Sequence, residues 1–150
     1  MLKELSETFK KNVWVVAFDM DQTCLDIHTS GVAIRDGSSF TPPYSCYVPI
    51  RTGKEVVSHV KESVRQLIPF LLQNNIAVAI CTNTDVTMAT HPSLMGGREL
   101  VEYIFRNAFP EYEDICSRLT IEAWRGTYES VQVGCRLQLH SLCSNSFILL

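Results

Sequence analysis

The sequence predicts an α/β fold built around a parallel sheet. Two apolar runs, Val13 to Phe18 and Ile76 to Cys81, lack polar alternation, which is typical of strands covered on both faces. Between them, apolar residues recur at helical spacing over 54–75. A strand, a helix and a second strand in this order predict a parallel unit with a right-handed crossover.

Proline residues mark the limits of the predicted helices. Pro69 has no backbone N–H, so it is expected to kink or divide the helix over 54–75. A further helix is expected to begin after residues 91–93 and to stop at Pro110. Residues 118–124 are a candidate third strand, which completes the elements of a three-layer, Rossmann-like sheet.

Three other segments have distinct patterns. Apolar residues at helical spacing over 2–9 predict a short amphipathic leading helix. Residues 22–53 are rich in glycine, proline and aromatic residues and are long for a structureless connection, so a functional loop or small insertion beside a site is expected. Residues 131–140 alternate apolar and polar side chains, as an amphipathic strand does.

The composition indicates one soluble domain spanning residues 1–150. There are 13 Lys and Arg against 16 Asp and Glu, giving a net charge of −3 without a basic stripe, so no nucleic-acid partner is expected. The apolar runs are far shorter than a membrane helix needs, and no signal peptide is readable. We therefore expect a cytoplasmic protein without a membrane partner.

The cysteines are expected to be reduced thiols. The chain has six, none in a Cys-x-x-Cys pair, and most have apolar neighbours. Cys135, His140 and Cys143 could together offer three zinc ligands, but a fourth at the usual paired spacing is missing. A chance grouping is the favoured interpretation.

Polar clusters follow both predicted central strands. Asp19 and Asp21 come directly after the first strand, and Thr82 and Asn83 end the second. Parallel sheets place their chemistry at the carboxyl ends of strands. The alternative is that Asp19 and Asp21 are ordinary turn residues, because aspartate is common at strand ends.

These residues resemble the first two motifs of the haloacid dehalogenase superfamily. Val-Val-Ala-Phe-Asp-Met-Asp-Gln-Thr-Cys-Leu is similar to an apolar strand followed by Asp-x-Asp-x-Thr, and Ile-Ala-Val-Ala-Ile-Cys-Thr-Asn is similar to a strand ending in Ser or Thr. The resemblance covers about residues 13–124, and residues 126–150 form an atypical tail. It implies a phosphatase-branch fold with a small or absent cap.

The resemblance also implies a role for each motif residue. Asp19 would be the nucleophile that forms an aspartyl phosphate, and Asp21 the general acid and base. Thr82 would bind the transferring phosphoryl group, with Thr23 and Asn83 as further substrate-binding residues. Mg²⁺ would bind through the Asp19 carboxylate and the Asp21 main-chain carbonyl. The expected function is hydrolysis of a phosphomonoester, with a phosphorylated substrate as the partner.

The later motifs of the family are not recognisable. No lysine follows Lys61, and none of the arginines that could replace the missing lysine has a motif context: Arg98, Arg106, Arg118 and Arg125. The acidic residues Glu111, Glu113 and Asp114 follow Pro110 rather than a strand, as in a solvated turn. The alternative function is therefore a catalytically inactive, phosphatase-like protein with a binding role. A phosphoacceptor receiver is disfavoured, because the Asp-x-Asp-x-Thr pattern and the missing late lysine both argue against it.

The atypical tail predicts a shortened or alternatively ended form of the fold. Its last residues, Ser-Asn-Ser-Phe-Ile-Leu-Leu, are apolar and uncapped. Loss of final strands would leave an exposed sheet edge, so self-association is also expected.

Overall fold

The computed structural model describes residues 15–41, 50–84, 88, 90–111, 118–124 and 147–149. In chain order the elements are β1 (Val15–Asp19), β2 (Val32–Ile34), α1 (Gly53–Ser58), α2 (Glu62–Gln73), β3 (Ala77–Asn83), β4 (Leu94–Gly96), α3 (Gly97–Ala108), β5 (Leu119–Trp124) and β6 (Phe147–Leu149). A parallel sheet has the strand order β5-β3-β1-β6, and β2 pairs antiparallel with β4. The α/β class and the parallel sheet are confirmed.

The core lies between one face of the parallel sheet and the three described helices. Val16 and Phe18 of β1 join Val78 and Ile80 of β3 in one buried cluster. That cluster includes apolar side chains of all three helices, among them Val56, Val64, Ile68, Leu71, Leu100, Ile104 and Phe105. On the opposite face Ala17, Ala79 and Cys81 form a smaller buried cluster. The described residues thus supply one helical layer of the predicted three-layer arrangement.

The predicted helix over 54–75 is divided, but not at Pro69. It ends at Ser58 and resumes at Glu62, while Pro69 lies buried inside α2. Between the two helices, Val60 forms an antiparallel bridge with Leu25, and the Lys61 N–H donates to the Cys24 carbonyl at 3.0 Å. Backbone pairing with the turn after β1 therefore replaces helical hydrogen bonds at this point, which is why the helix is interrupted between Ser58 and Glu62.

The segments before α1 and before α3 contain a small two-stranded sheet that the sequence did not predict. β2 lies within the expected loop over 22–53, and its backbone pairs with β4, immediately before the predicted second helix. That helix begins at Gly97, because residues 94–96 are extended in the pairing. Ala33 of β2 and Met95 of β4 belong to the main buried cluster, so this small sheet shares its core with the parallel sheet.

Several predictions fall outside the described residues: the leading helix over 2–9, the alternating segment 131–140, and the Cys135, His140 and Cys143 grouping. Residues 147–149 of the atypical tail are described, and they pair in parallel with β1. Within the described part of the chain, no helix combines the length and apolar character required to cross a membrane.

Candidate functional site

The parallel pairing of β1 and β3 brings the two predicted motifs to one edge of the sheet. Asp19 is the last residue of β1, and its register partner is Cys81. Thr82 and Asn83 follow Cys81 and complete β3. Because the strands are parallel and hydrogen-bonded neighbours, the polar residues that end them share the carboxyl edge of the sheet.

A tight π-type turn, Met20–Cys24, follows Asp19 directly. The Leu25 N–H donates to the Met20 carbonyl at 3.0 Å and closes the turn. Inside it, Asp21 is extended, with φ −71° and ψ 130°, and Gln22 is left-handed, with φ 61°. A left-handed glutamine is uncommon and costs conformational free energy. Such backbone geometry beside a carboxylate is typical of a functional site.

Thr29 holds the carboxylate of Asp21 from two directions. Its main-chain N–H donates to Asp21 Oδ1 at 3.0 Å, and its hydroxyl donates to the same oxygen at 2.6 Å. Thr29 is only 4% exposed, so these bonds lie in a protected environment. Thr29 has no distinctive signal in the sequence, because its link with Asp21 depends on the return of the chain after the turn.

His28 lies on the other side of the same carboxylate. Its Nδ1 is 3.4 Å from Asp21 Oδ2, and the ring is half exposed. The Ser30 N–H donates to the same nitrogen at 3.1 Å, so Nδ1 is an acceptor in this arrangement. The imidazole becomes an ion-pair partner of Asp21 only when it is protonated. The sequence places His28 in a long loop, where loop packing and substrate contact are equally good interpretations.

Asp19 lies in an environment that disfavours its negative charge. The Asp19 side chain is exposed at the end of β1, yet desolvation by the surrounding protein raises the pKa of its carboxyl. A hydrogen bond from the Met20 backbone lowers this pKa, and the nearby Asp21 charge raises it. A positive charge on His28, present only when the imidazole is protonated, acts in the opposite direction. The net upward direction indicates that a cation beside Asp19 would be favourable.

Lys61 supplies a cation to the turn. Its ammonium group donates to the Gln22 carbonyl, and its main-chain N–H donates to the Cys24 carbonyl. The residue thus binds the turn at two points while its charge stays close to the site. Lys61 precedes β3 in the sequence, whereas the resemblance implies a lysine after the second motif, so the sequence did not indicate a role for Lys61.

The arginines considered from the sequence have other partners where the structure describes them. Arg98 donates to Glu102 at 2.8 Å, and Arg118 donates to the Leu72 carbonyl. Glu111 is exposed. Arg125, Glu113 and Asp114 lie outside the described residues.

The other predicted site residues differ in their settings. Thr82 is buried, and its hydroxyl makes one long contact of 3.4 Å with the Asn83 carbonyl. Asn83 is exposed, and Thr23 is partly buried within the turn. Thr84, just beyond β3, is 1% exposed, and its hydroxyl is the one buried side-chain polar atom without a partner among the described residues.

Cys24 and Cys81 flank the site as buried cysteines in the reduced form. Burial raises the pKa of the Cys24 thiol to about 12, with a further upward contribution from the Asp19 charge and a smaller downward one from Lys61. The thiol is therefore neutral and unreactive near neutral pH. This setting fits the expectation that the cysteines are reduced thiols among apolar neighbours.

The donor set suits a Mg²⁺ ion that retains water ligands. In the described part of the chain, no three His, Cys, Asp or Glu side chains gather into a metal-binding group. Mg²⁺ commonly uses one or two carboxylates, with water and substrate phosphate completing its shell. Desolvation, and to a smaller extent the Asp21 charge, raises the pKa of Asp19, and a cation beside the carboxylate would offset both effects.

Comparison with known proteins assigns no family. No family model and no curated protein matches the chain. A solved structure, that of DsGPDH of Dunaliella salina, superimposes with a TM-score of 0.45 at 8% sequence identity over 98% of this chain. The chain spans only 21% of that protein, and a similarity of this degree carries no argument about function.

Proposed function

We propose that the chain is a Mg²⁺-dependent phosphohydrolase that acts on a phosphomonoester through an aspartyl-phosphate intermediate. The observation that carries this proposal is the convergence of Asp19, Asp21 and Thr82 on the carboxyl edge of two paired parallel strands. The resemblance of these residues to the haloacid dehalogenase motifs supports the same reaction. Two carboxylates of different environment can divide nucleophilic and acid–base work between them.

In the first step an Asp19 carboxylate oxygen attacks phosphorus and forms a new oxygen–phosphorus bond. The bond from phosphorus to the leaving oxygen breaks, and Asp21 gives that oxygen its proton. In the second step Asp21 takes a proton from water as the water oxygen attacks phosphorus. The acyl phosphate bond then breaks, which releases inorganic phosphate and regenerates Asp19.

The attack requires charge compensation, because carboxylate and phosphate are both anionic. Two unit charges at 4 Å repel by about 4 kcal/mol at an effective dielectric of 20. The Asp19 carboxylate and the Asp21 main-chain carbonyl would hold Mg²⁺, which supplies positive charge to offset this repulsion. The Thr82 hydroxyl would bind the phosphoryl group, and Lys61 adds a nearby positive charge.

The test is phosphate release from p-nitrophenyl phosphate with and without Mg²⁺, in the wild-type chain and in Asp19→Asn. We expect metal-dependent turnover in the wild type and its loss in the variant. Asp26→Asn is the matched control. Asp26 lies near the same turn, but its carboxylate is exposed and pairs with His59. Equal turnover in Asp19→Asn and the wild type would refute the nucleophile assignment.

A folded wild-type chain without turnover would refute the hydrolase proposal and favour the alternative of a phosphatase-like binding protein. Circular dichroism shows whether the chain is folded. Calorimetric titration with Mg²⁺ and inorganic phosphate then measures whether the same edge retains a binding role.

A further inference from the structure

We propose that Thr29 is a positioning residue that orients the Asp21 carboxylate, so that Oδ2 is the oxygen presented to substrate. This inference rests on the proposed function of Asp21 and adds a residue that neither predicted motif contains. Its basis is the pair of hydrogen bonds from Thr29 to Asp21 Oδ1, at 3.0 Å from the backbone and 2.6 Å from the hydroxyl.

The direction of the Thr29 hydroxyl is fixed by its other neighbour. The Gly31 N–H donates to Thr29 Oγ1 at 3.0 Å, so this oxygen is an acceptor on that side. Its single hydrogen is then available for Asp21 Oδ1. A hydrogen bond to an ionised acceptor is stronger than one between neutral groups, so the pair resists rotation of the carboxylate.

The turn that carries Thr29 is itself held rigidly. Ser30 and Gly31 both have positive φ, of 56° and 71°, and the Val32 N–H donates back to the Thr29 carbonyl at 3.2 Å. Positive φ at both central residues is the pattern of a type I′ turn. The turn therefore has a defined geometry of its own before its contacts with other elements are considered.

Two further elements anchor this turn. The Gly31 carbonyl accepts a hydrogen bond from the Gly97 N–H, the first residue of α3, at 3.1 Å. Gly31 also packs against the end of β3, where a β-carbon would meet the Asn83 carbonyl oxygen at 1.7 Å. Thr29 thus links Asp21 to β3 and α3, and the carboxylate takes its orientation from the same strand that carries Thr82.

Occupation of Oδ1 leaves Oδ2 as the oxygen that can face a substrate. Among the described side chains, His28 is the neighbour of Oδ2, at 3.4 Å, and it is half exposed. The leaving group of a substrate would therefore meet Asp21 at one defined oxygen. Orientation of this kind contributes to rate rather than to substrate affinity.

The experiment compares Thr29→Val, which removes the hydroxyl but keeps the backbone donor and the side-chain size, with Thr29→Ser, which retains the hydroxyl. Steady-state kinetics with p-nitrophenyl phosphate and Mg²⁺ should show kcat reduced about tenfold or more in Thr29→Val, with KM little changed. Thr29→Ser should recover most of the loss. Equal kcat in Thr29→Val and the wild type would overturn the positioning role and leave the proposed function intact.

A second measurement is independent of turnover. Urea unfolding of the wild type, Thr29→Val, Asp21→Ala and the double variant forms a thermodynamic cycle in which each single change removes the bond between the two side chains. We expect a coupling of about fivefold or more in the unfolding equilibrium constant between positions 21 and 29. A wild-type chain that releases no phosphate would refute the proposed function, and with it the catalytic consequence for Thr29. Additive effects in the cycle would refute the orientation of Asp21 by Thr29.

Discussion

Gly31 approaches the main chain of Asn83 so closely that a β-carbon at position 31 would stand 1.7 Å from the Asn83 carbonyl oxygen. At the other described glycines, an added β-carbon would have no neighbouring atom closer than 2.8 Å. The backbone conformation is a second reason for glycine at position 31, because its φ of 71° lies in the left-handed region. The site therefore depends on a residue that carries no side-chain chemistry.

Gly31→Ala should lower the free energy of unfolding by at least about 3 kcal/mol, since the backbone of the turn or of β3 must shift. Gly37→Ala is the matched control. Gly37 also has positive φ, of 80°, but no atom lies within 4 Å of its added β-carbon. Gly37→Ala is expected to lower the free energy of unfolding by about 1 kcal/mol, because only the backbone conformation is unfavourable for alanine. Equal losses in urea denaturation would show that the approach to Asn83 is not what constrains position 31.

Thr84→Val should stabilise the chain by about 1 kcal/mol, because it removes a buried hydroxyl that has no partner among the residues the structure describes, while preserving the shape of the side chain. Thr84→Ser retains the hydroxyl and loses the methyl group that lies beside Gly96, so it should destabilise. Thermal unfolding of both variants measures the difference. A lower stability in Thr84→Val would mean that the hydroxyl has a bonding partner in solution.

Asp19→Asn should be more stable than the wild type at neutral pH. The folded-state pKa of Asp19 is raised, so its ionised form is less favourable in the folded chain than in the unfolded one, and the asparagine removes that penalty. The gain should be present above the ordinary aspartate pKa of about 4 and should vanish below it, where the carboxyl is protonated in both states. Urea midpoints at pH 3 and pH 7 test this. A midpoint difference independent of pH would contradict the electrostatic origin.

Cys24 should resist alkylation in the native chain at pH 8. Its pKa of about 12 leaves very little thiolate, and the thiol is buried. Iodoacetamide labelling followed by peptide mass spectrometry should show reaction at Cys24 only after unfolding in urea. Because the folded pKa is raised from 9.0, stability should also fall as pH rises from about 9 toward 12, and less so in Cys24→Ala. Rapid native labelling would contradict the buried environment.

The sequence was sufficient to predict the central strands and the position of Asp19 and Asp21 where the first strand ends, because continuous apolar runs indicate burial on both faces. It was not sufficient for the division of the helix over 54–75. Pro69 carries the local signal, but the Leu25 and Val60 bridge decides where the helix ends. That bridge joins residues distant in sequence, so the spacing of apolar residues along the helix does not predict it.

The same limit applies to the candidate site. Asp21 could be identified from its position after a strand, whereas Thr29 becomes a partner only when the turn at Ser30 and Gly31 brings its hydroxyl back. A threonine before Ser-Gly in a long loop has no distinctive pattern. Lys61 was missed for a related reason, since its contact with Gln22 follows from the helix break.

The pairing of β6 with β1 has a consequence for the order of folding. Ala17 and Leu149 are register partners, although most of the sequence separates them. During synthesis, β1 can pair with β3 early, but its pairing with β6 cannot form until residues 147–149 have left the ribosome. Such non-local pairing slows folding, because the entropy of closing a long loop must be overcome first. The strand that carries Asp19 thus acquires β6 as a neighbour only after its pairing with β3 can form.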